Sequence, residues 1–86
     1  MKKMKFRIRK YEDKYHIELT GIFLYLDSKI ADYLRLTYKQ YIDILKLYNA
    51  YRLVNHIYYC FNTIEDAEKA VIKLESYLIM KNLVEE

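Results

Sequence analysis

Residues 4–19 read MKFRIRKYEDKYHIEL, and the predicted fold depends on the pattern of side chains in them. Apolar and charged side chains alternate on both sides of a polar break at residues 12–14, and such alternation is typical of half-buried strands. Two strands joined by a short polar break predict a β-hairpin with one apolar face and one charged face. The side chains expected on the buried face are Phe6, Ile8, Ile17 and Leu19.

The length of the hairpin loop sets which residues of the two strands face each other. A two-residue loop at residues 12–13 sets Arg7 opposite Glu18 and matches apolar residues on the other face. A four-residue loop sets Arg9 opposite Glu18 instead. The sequence is compatible with both loops. The apolar pairs of the two-residue loop are Ile8 with Ile17 and Phe6 with Leu19.

Two further strands are predicted before the first long helix. Gly21 precedes an apolar run at residues 22–26, which fits a strand that continues past a bulge or bends into a new strand. Residues 30–36 are ambiguous, because alternation over residues 33–36 suits a strand while Ser28 suits the cap of a short helix. We favour the strand.

A capping box marks the start of the next helix. Thr37 and Gln40 have its spacing, in which the two side chains satisfy free N–H groups in the first turn. Apolar residues then recur at helical spacing. We expect this helix to cover residues 38–50, with Asn49 at its end.

The second half of the chain alternates strand and helix. Residues 53–61 are rich in strand-forming residues and predict a strand. Asn62 and Thr63 then cap a second helix, which apolar periodicity extends over residues 64–82. This order favours the α+β class, with a small antiparallel sheet and two helices packed on one of its faces.

Length and composition predict a single domain over residues 1–86. The chain has 86 residues, of which 53% are apolar, and this composition is typical of a globular protein. One Gly and no Pro leave nothing from which to build a flexible linker. A chain of this size buries only about 60% of its unfolded surface, so its core needs most of the large apolar side chains.

Basic residues are concentrated at the start of the sequence. Residues 1–10 contain six Lys and Arg and no acid, whereas residues 11–86 contain nine basic and twelve acidic groups. A local basic edge on a mildly acidic body permits an anionic partner. The same distribution excludes a protein whose overall charge imitates that of DNA.

The residue types needed for catalysis are few and badly spaced. On a strand, His56 and Cys60 would lie about 13 Å apart, which is too far for a hydrogen-bonded pair. Together with His16 they also lack the short spacing of a structural zinc site. We therefore expect no enzyme activity, no cofactor and no metal.

Cysteine content and hydropathy predict the compartment. Cys60 is the only cysteine, so no internal disulfide can form. The sequence contains neither a secretory signal nor an apolar run long enough to cross a membrane. We expect a cytoplasmic protein without a membrane partner.

Tyrosines and the charged face of the hairpin favour a binding protein. Eleven tyrosines in 86 residues is an unusual number, and Tyr is enriched at protein interfaces because its large rigid ring carries a polar tip. About half of them are expected to fill core edges, among them Tyr41, Tyr48, Tyr51 and Tyr77. Basic side chains on a strand also suit a phosphate backbone, or simply protect an edge strand from aggregation. The residues assigned to partner contact are Lys5, Arg7, Arg9 and Tyr11.

A second apolar stripe lies outside the main stripe of the second helix. Ile72, Ile79 and Leu83 recur there at heptad-like spacing. This stripe fits a self-association surface, which would make the protein a homodimer. It equally fits a helix face that rests under the N-terminal strand.

Residues 61–74, FNTIEDAEKAVIKL, resemble the third strand and second helix of the RNA-recognition motif, and residues 22–26, IFLYL, resemble its first strand. The stretch between Tyr51 and Phe61 is too short for the two strands that this family places there, so its topology does not fit. Aromatic residues of the family stack on RNA bases. The resemblance implies an RNA- or single-stranded-DNA-binding module that stacks bases on Phe23, Tyr25, His56 and Tyr58.

The chain as a whole is small, rich in Lys, Ile and Tyr, and poor in Gly and Pro. In this character it resembles the accessory proteins by which bacteriophages and mobile elements block host defences, including anti-CRISPR proteins. That resemblance implies a non-enzymatic inhibitor that binds a host nucleic-acid-processing protein or ribonucleoprotein in a bacterial cytoplasm. A net charge of +3 is low for an indiscriminate nucleic-acid binder, so nucleic acid alone is expected to bind weakly.

Overall fold

Two strands followed by three helices make up the described part of the chain. A computed structural model describes residues 5–20 and 26–85, with side chains as far as residue 81. The α+β class predicted from the sequence is confirmed. The strand predicted at residues 22–26 falls outside the described residues, apart from Leu26. The elements are β1 (Lys5–Tyr11), β2 (Lys14–Thr20), α1 (Asp27–Tyr33), α2 (Tyr38–Lys46) and α3 (Ile64–Glu85).

The hairpin has the two-residue loop, and its register is the one that this loop predicts. Arg7 lies opposite Glu18, so the four-residue alternative is excluded. Glu12 in the loop has a φ of 56°, the left-handed conformation that tight hairpin turns use. The predicted inner face is confirmed by the buried Ile17 and Leu19 and by the half-buried Phe6 and Ile8.

The strand favoured for residues 30–36 is wrong, because the chain forms α1 there. Ile30, Ala31 and Leu34 are buried together, as expected for one face at helical spacing. Ser28 lies inside the helix and does not cap it. Burial of three apolar side chains in a shared core outweighs a weak local preference for strand.

Both short helices end at a residue in the left-handed conformation, although neither residue is glycine. Arg35 follows α1 with a φ of 61°, and Asn49 follows α2 with a φ of 68°. Asn49 thus ends α2 as predicted, although the regular helix is shorter than the predicted range 38–50. The six-to-one bonds of a Schellman motif close both ends, from the N–H of Leu36 to the carbonyl of Ala31 and from the N–H of Ala50 to that of Leu45.

Side-chain caps begin the two longer helices where the sequence predicts them. Thr37 Oγ1 accepts a hydrogen bond from the N–H of Gln40 at 3.1 Å, and the Gln40 side chain accepts one from the N–H of Thr37 at 2.9 Å. This is a complete capping box. At the start of α3, Thr63 Oγ1 accepts from the N–H of Asp66 at 3.2 Å. The helix predicted over residues 64–82 is confirmed and continues slightly further.

The strand predicted at residues 53–61 is wrong, because only its end pairs with the hairpin. Phe61 is fully buried and forms an isolated bridge with Tyr15 of β2. The N–H of Phe61 donates to the Tyr15 carbonyl at 2.7 Å, and the N–H of Tyr15 donates back at 3.0 Å. Strand-forming residues without a neighbouring strand cannot build a ladder, so the preceding residues form a loop.

Residues 52–59 form this loop, which we call the 50s loop. A bridge between Tyr51 and Cys60 closes its base, with N–H to carbonyl distances of 3.0 and 2.8 Å. A turn lies at its tip, where the N–H of His56 donates to the carbonyl of Leu53 at 3.0 Å.

An apolar core joins the helices to the inner face of the hairpin. α3 packs against both strands and against α2, which in turn packs against α1. The largest fully buried apolar side chains are Leu19, Ile30, Tyr41, Leu45, Phe61 and Leu74. Within the described ranges, no helix is both long enough and apolar enough to cross a membrane.

Candidate binding surface

The outer face of the hairpin carries the side chains predicted to contact a partner. They occupy alternate positions of β1, with about 7 Å between successive residues, and all of them are exposed. We call this set the basic face, and it consists of Lys5, Arg7, Arg9 and Tyr11. The residues opposite them on β2 are Thr20, Glu18, His16 and Lys14.

Glu18 neutralises part of the basic face. Its Oε1 accepts two hydrogen bonds from the guanidinium of Arg7, one of them from Nε at 3.1 Å, and its Oε2 lies 3.4 Å from Arg9. Burial acts to raise the pKa of Glu18, but the hydrogen bond and charge of Arg7 outweigh it and hold the pKa below its usual value. Glu18 is therefore ionised at neutral pH, and Arg7 is committed to it.

His16 and Glu18 are buried, although the alternation predicts that both face solvent. Only 6% of His16 and 8% of Glu18 are exposed. The 50s loop covers His16, because the Tyr58 ring lies against the imidazole with the ring centroids 4.4 Å apart. The His56 ring also contacts Tyr58, in an edge-on arrangement with its centroid 6.1 Å from that of Tyr58. A pattern of period two cannot reveal that both faces of β2 are covered.

A cleft of about 300 Å³ lies between the basic face and the 50s loop. Burial lowers the pKa of His16 below its usual value, against the opposing effect of Glu18, so this imidazole is uncharged at neutral pH. The cleft therefore combines tyrosine rings with a carboxylate and a guanidinium. Its lining residues are Arg9, Tyr11, His16, Glu18 and Tyr58.

The tip of the 50s loop exposes aliphatic side chains that the sequence analysis did not identify as functional. Val54 is 99% exposed and Ile57 is 64% exposed. The predicted strand hid this feature, because it assigned both residues to a sheet. Asn55 between them, a residue favoured in turns, is the sequence signal that points to a loop tip.

Buried Asp27 fixes the base of the 50s loop. Its Oδ2 accepts a hydrogen bond from the N–H of Tyr59 at 2.7 Å, which ties the first residue of α1 to the last residue of the loop. Burial raises the pKa of Asp27 to about 6, against the opposing effects of this hydrogen bond and of the Arg52 charge. The anchor of the loop is thus a carboxyl group that changes its charge just below neutral pH.

Two of the four aromatic residues assigned to base stacking belong to the described part of the chain. Phe23 and Tyr25 lie outside it. His56 and Tyr58 are both half-buried, and Tyr58 lines the cleft. The structure therefore places Tyr58 beside Arg9, a residue that the sequence assigned to a different surface.

The residues predicted to support self-association lie on an exposed stripe of α3. Ile72 is 68% exposed and Ile79 is 59% exposed, and Met80 beside them is also exposed. The side chain of Leu83 lies outside the described residues. This exposure contradicts the alternative in which the stripe rests under the N-terminal strand.

The thiol of Cys60 is buried and hydrogen-bonded. Its Sγ donates to the carbonyl of Tyr51 at 3.5 Å. Burial raises the pKa of the thiol, against the opposing effects of the Tyr51 side chain and of the Lys14 charge, so the thiol stays protonated. The predicted strand spacing to His56 does not apply, because these residues lie in a loop. Among the described side chains, no group of three or more His, Cys, Asp or Glu is placed to hold a metal ion.

The tyrosines divide between the core and the surface. Tyr11 and Tyr38 are exposed, and Tyr11 belongs to the basic face. The hydroxyl of Tyr41 is buried without a hydrogen-bond partner among the described residues. Of the tyrosines expected at core edges, Tyr41 is fully buried and the half-buried ones are Tyr48, Tyr51 and Tyr77.

Comparisons of the chain with protein families, curated proteins and solved structures give no match. They neither support nor contradict the resemblance to anti-CRISPR proteins or to the RNA-recognition motif. Both resemblances therefore stay predictions. The observations that bear on function are those of the basic face and the 50s loop.

Proposed function

We propose that the protein is a non-enzymatic binding protein that inhibits its partner by covering part of the partner's surface. The partner is a host nucleic-acid-processing protein or ribonucleoprotein in the bacterial cytoplasm. The inhibitor is of the kind that phages and mobile elements encode, as anti-CRISPR proteins are. The observation that carries the proposal is the exposed aliphatic tip of the 50s loop beside the basic face.

The aliphatic tip supports a contact with a protein. A chain of this size needs its large apolar side chains for the core, yet Val54 and Ile57 are left in water. Burial of either side chain against a partner contributes about 1.5–3 kcal/mol. Because Asp27 holds the base of the loop, little conformational freedom is lost on binding. The exposed pair Val54 and Ile57 suits a shallow apolar pocket on the partner, at the centre of the interface.

The basic face supports a partner whose apolar pocket is surrounded by an acidic rim. Tyr58 follows Ile57 in the chain and lines the cleft with Arg9 and Tyr11, so the loop and the basic face are continuous. Tyr11 is exposed and offers a large rigid ring with a polar tip. An acidic protein groove or a bound guide RNA would complement the charge of Arg9.

The non-enzymatic part of the proposal rests on the state of three groups with catalytic potential. The thiol of Cys60 is buried and protonated. Glu18 is engaged by Arg7 and held ionised, so it is poorly suited to donate a proton. His16 is buried under Tyr58. This arrangement supports a structural role for each group.

Affinity capture from bacterial lysate, followed by mass spectrometry, tests the proposal. The wild-type protein should recover a host protein or ribonucleoprotein, and Val54→Asp should recover at least about tenfold less of it. Ile72→Glu is the matched control, because it also places a charge at an exposed aliphatic position but on another surface. Equal recovery by wild type and a folded Val54→Asp variant would contradict the proposal, as would recovery of naked nucleic acid alone.

A further inference from the structure

We infer that the cleft between the basic face and the 50s loop binds a single nucleotide whose base carries an amino group. This inference goes beyond the proposed protein contact and does not depend on it. It rests on the combination of tyrosine rings, an acceptor carboxylate and a guanidinium around one small cleft.

The volume of the cleft suits one ring system. Pockets for drug-sized ligands span about 300–1,000 Å³, and this cleft of about 300 Å³ lies at the lower end of that range. A dinucleotide cofactor is too large for it. A single base with part of its sugar fits.

Tyrosine side chains supply the surfaces on which a flat base can stack. Tyr58 contacts His16, with 4.4 Å between ring centroids, and is in an edge-on arrangement with His56. Its ring is therefore already in place before a ligand binds. Tyr11 is exposed and also lines the cleft, so it offers a second ring surface to a bound base. Stacking of bases on aromatic side chains is the usual way in which unpaired nucleotides are bound.

Glu18 supplies selectivity for an amino group. Its Oε1 accepts two hydrogen bonds from Arg7, whereas its Oε2 has only longer contacts, 3.4 Å to Arg9 and 3.6 Å to Nε2 of His16. A carboxylate oxygen with spare acceptor capacity accepts from the exocyclic amino group of cytosine. Uracil presents a carbonyl oxygen at the same position, which a carboxylate repels. Cytosine and uracil therefore form a matched pair of probes.

Arg9 supplies a site for the phosphate. Its guanidinium is exposed and is held to Glu18 only by the 3.4 Å contact. Because Arg7 already compensates the charge of Glu18, Arg9 leaves the cleft with a net positive charge. A phosphate at the rim would form charge-assisted hydrogen bonds with it.

The same ligand chemistry has two sources, a free nucleotide and an unpaired residue of a single strand. NMR titration of the ¹⁵N-labelled protein separates them with cytidine monophosphate, uridine monophosphate, and short oligomers of each. The cytidine ligands should shift the amide signals of the cleft residues and bind about tenfold more tightly than the uridine ligands. Tighter binding of the cytidine oligomer than of the monophosphate supports the single-strand source, and equal binding supports the free nucleotide.

Variants of two lining residues test the mechanism. Glu18→Gln should abolish the preference for cytidine, because an amide presents either a donor or an acceptor to the base. Tyr58→Ala should weaken all the ligands, and Tyr58→Phe should restore binding because it keeps the ring. The Tyr58 pair keeps the inference testable if Glu18→Gln does not fold.

Three results would overturn the inference. They are equal binding of cytidine and uridine ligands, shifts confined to basic residues outside the cleft, and no shifts with any of the ligands. The first two would indicate charge attraction without recognition of a base. Val54→Asp should leave the titration unchanged, so this inference and the proposed protein contact can fail separately.

Discussion

The helical core and the face built by the hairpin and the 50s loop differ in what they bury. In the core, apolar side chains at helical spacing are buried and side-chain caps begin two of the helices. On the other face, the polar His16 and Glu18 are buried while the aliphatic Val54 and Ile57 stay in water. Residues that depart from the stabilising pattern are expected where function competes with folding. The contrast therefore supports our proposal that function lies on the face of the hairpin and loop.

The largest effect is expected from a change in the core. Leu74→Ala removes a fully buried side chain of α3 and should lower the free energy of unfolding by about 2–5 kcal/mol. Ile72→Ala on the same helix is the matched control, because Ile72 is exposed and its loss should change stability by about 0.5 kcal/mol or less. Urea denaturation followed by circular dichroism measures both. Similar losses for the two variants would mean that α3 buries a different face.

The next effect is a dependence of stability on pH through Asp27. Its pKa is raised from 3.8 to about 6, so the folded protein holds this proton more tightly than the unfolded chain. The resulting stabilisation is complete below the unfolded pKa and is lost as the pH rises through 6. Asp27→Asn keeps an acceptor for the N–H of Tyr59 without the charge. It should therefore stabilise the protein at neutral pH, by up to about 3 kcal/mol.

The stability contributed by the hairpin responds to pH in the direction opposite to that of Asp27. The pKa values of Glu18 and His16 both lie below their usual values, so their contributions are present at neutral pH and are lost as the pH falls. The free energy of unfolding of wild type and of Asp27→Asn is measured by denaturation at a series of pH values around 6. The difference between the two curves of stability against pH is the contribution of Asp27. Parallel curves would contradict the assignment.

Features set by neighbouring residues could be predicted from the sequence. The cap at Thr37 and the left-handed Asn49 depend on bonds within a few residues. The register of the hairpin depends on its loop, for which the sequence left two lengths open. The burial of β1 and β2 on their inner face follows from alternation. These are local rules, so one short stretch of sequence contains the whole signal.

Features set by distant residues could not be predicted from the sequence. The 50s loop is held by the contacts of Asp27 with Tyr59 and of Tyr15 with Phe61, residues that are far apart in the chain. The burial of His16 depends on Tyr58 in the same way. The alternation therefore predicted that the four side chains of the basic face share one side of β1, whereas the cleft beside it could not be predicted from the sequence.

Arg7 and Arg9 separate stability from binding on the basic face. Arg7→Ala removes the main partner of buried Glu18 and should lower the free energy of unfolding by about 1–2 kcal/mol, because solvent screens a half-exposed pair. Arg9→Ala removes only a 3.4 Å contact and should cost about 0.5 kcal/mol or less. Urea denaturation distinguishes the two, and equal losses would contradict the assigned roles.

Binding of the partner should depend on Arg9. Arg9→Glu should weaken the complex by about tenfold or more and reduce its salt dependence. Reversal of both arginines is a less specific test, because it adds two carboxylates beside Glu18. Lys69→Glu on α3 is a control for the change in net charge, since Lys69 is exposed on another element. Equal weakening by both variants would indicate non-specific charge attraction.

The exposed stripe of α3 is expected to support weak self-association. Burial of Ile72 and Ile79 between two copies would contribute about 1.5–3 kcal/mol for each side chain, and the cost of association offsets part of this gain. Analytical ultracentrifugation at high concentration should detect dimers of wild type and of Val54→Asp. The double variant Ile72→Glu, Ile79→Glu should be monomeric. A monomeric wild type would refute self-association through this stripe.

The smallest effect on binding is expected at Cys60, where the two regions meet at the base of the 50s loop. Its thiol is buried, protonated and donates one long hydrogen bond to the carbonyl of Tyr51. Cys60→Ser keeps a donor of similar size and should change stability by about 1 kcal/mol, the cost of burying a more polar group. Affinity for the partner, measured by isothermal titration calorimetry, should be unchanged. Loss of binding by a folded Cys60→Ser variant would reveal a reactive thiol and contradict the non-enzymatic proposal.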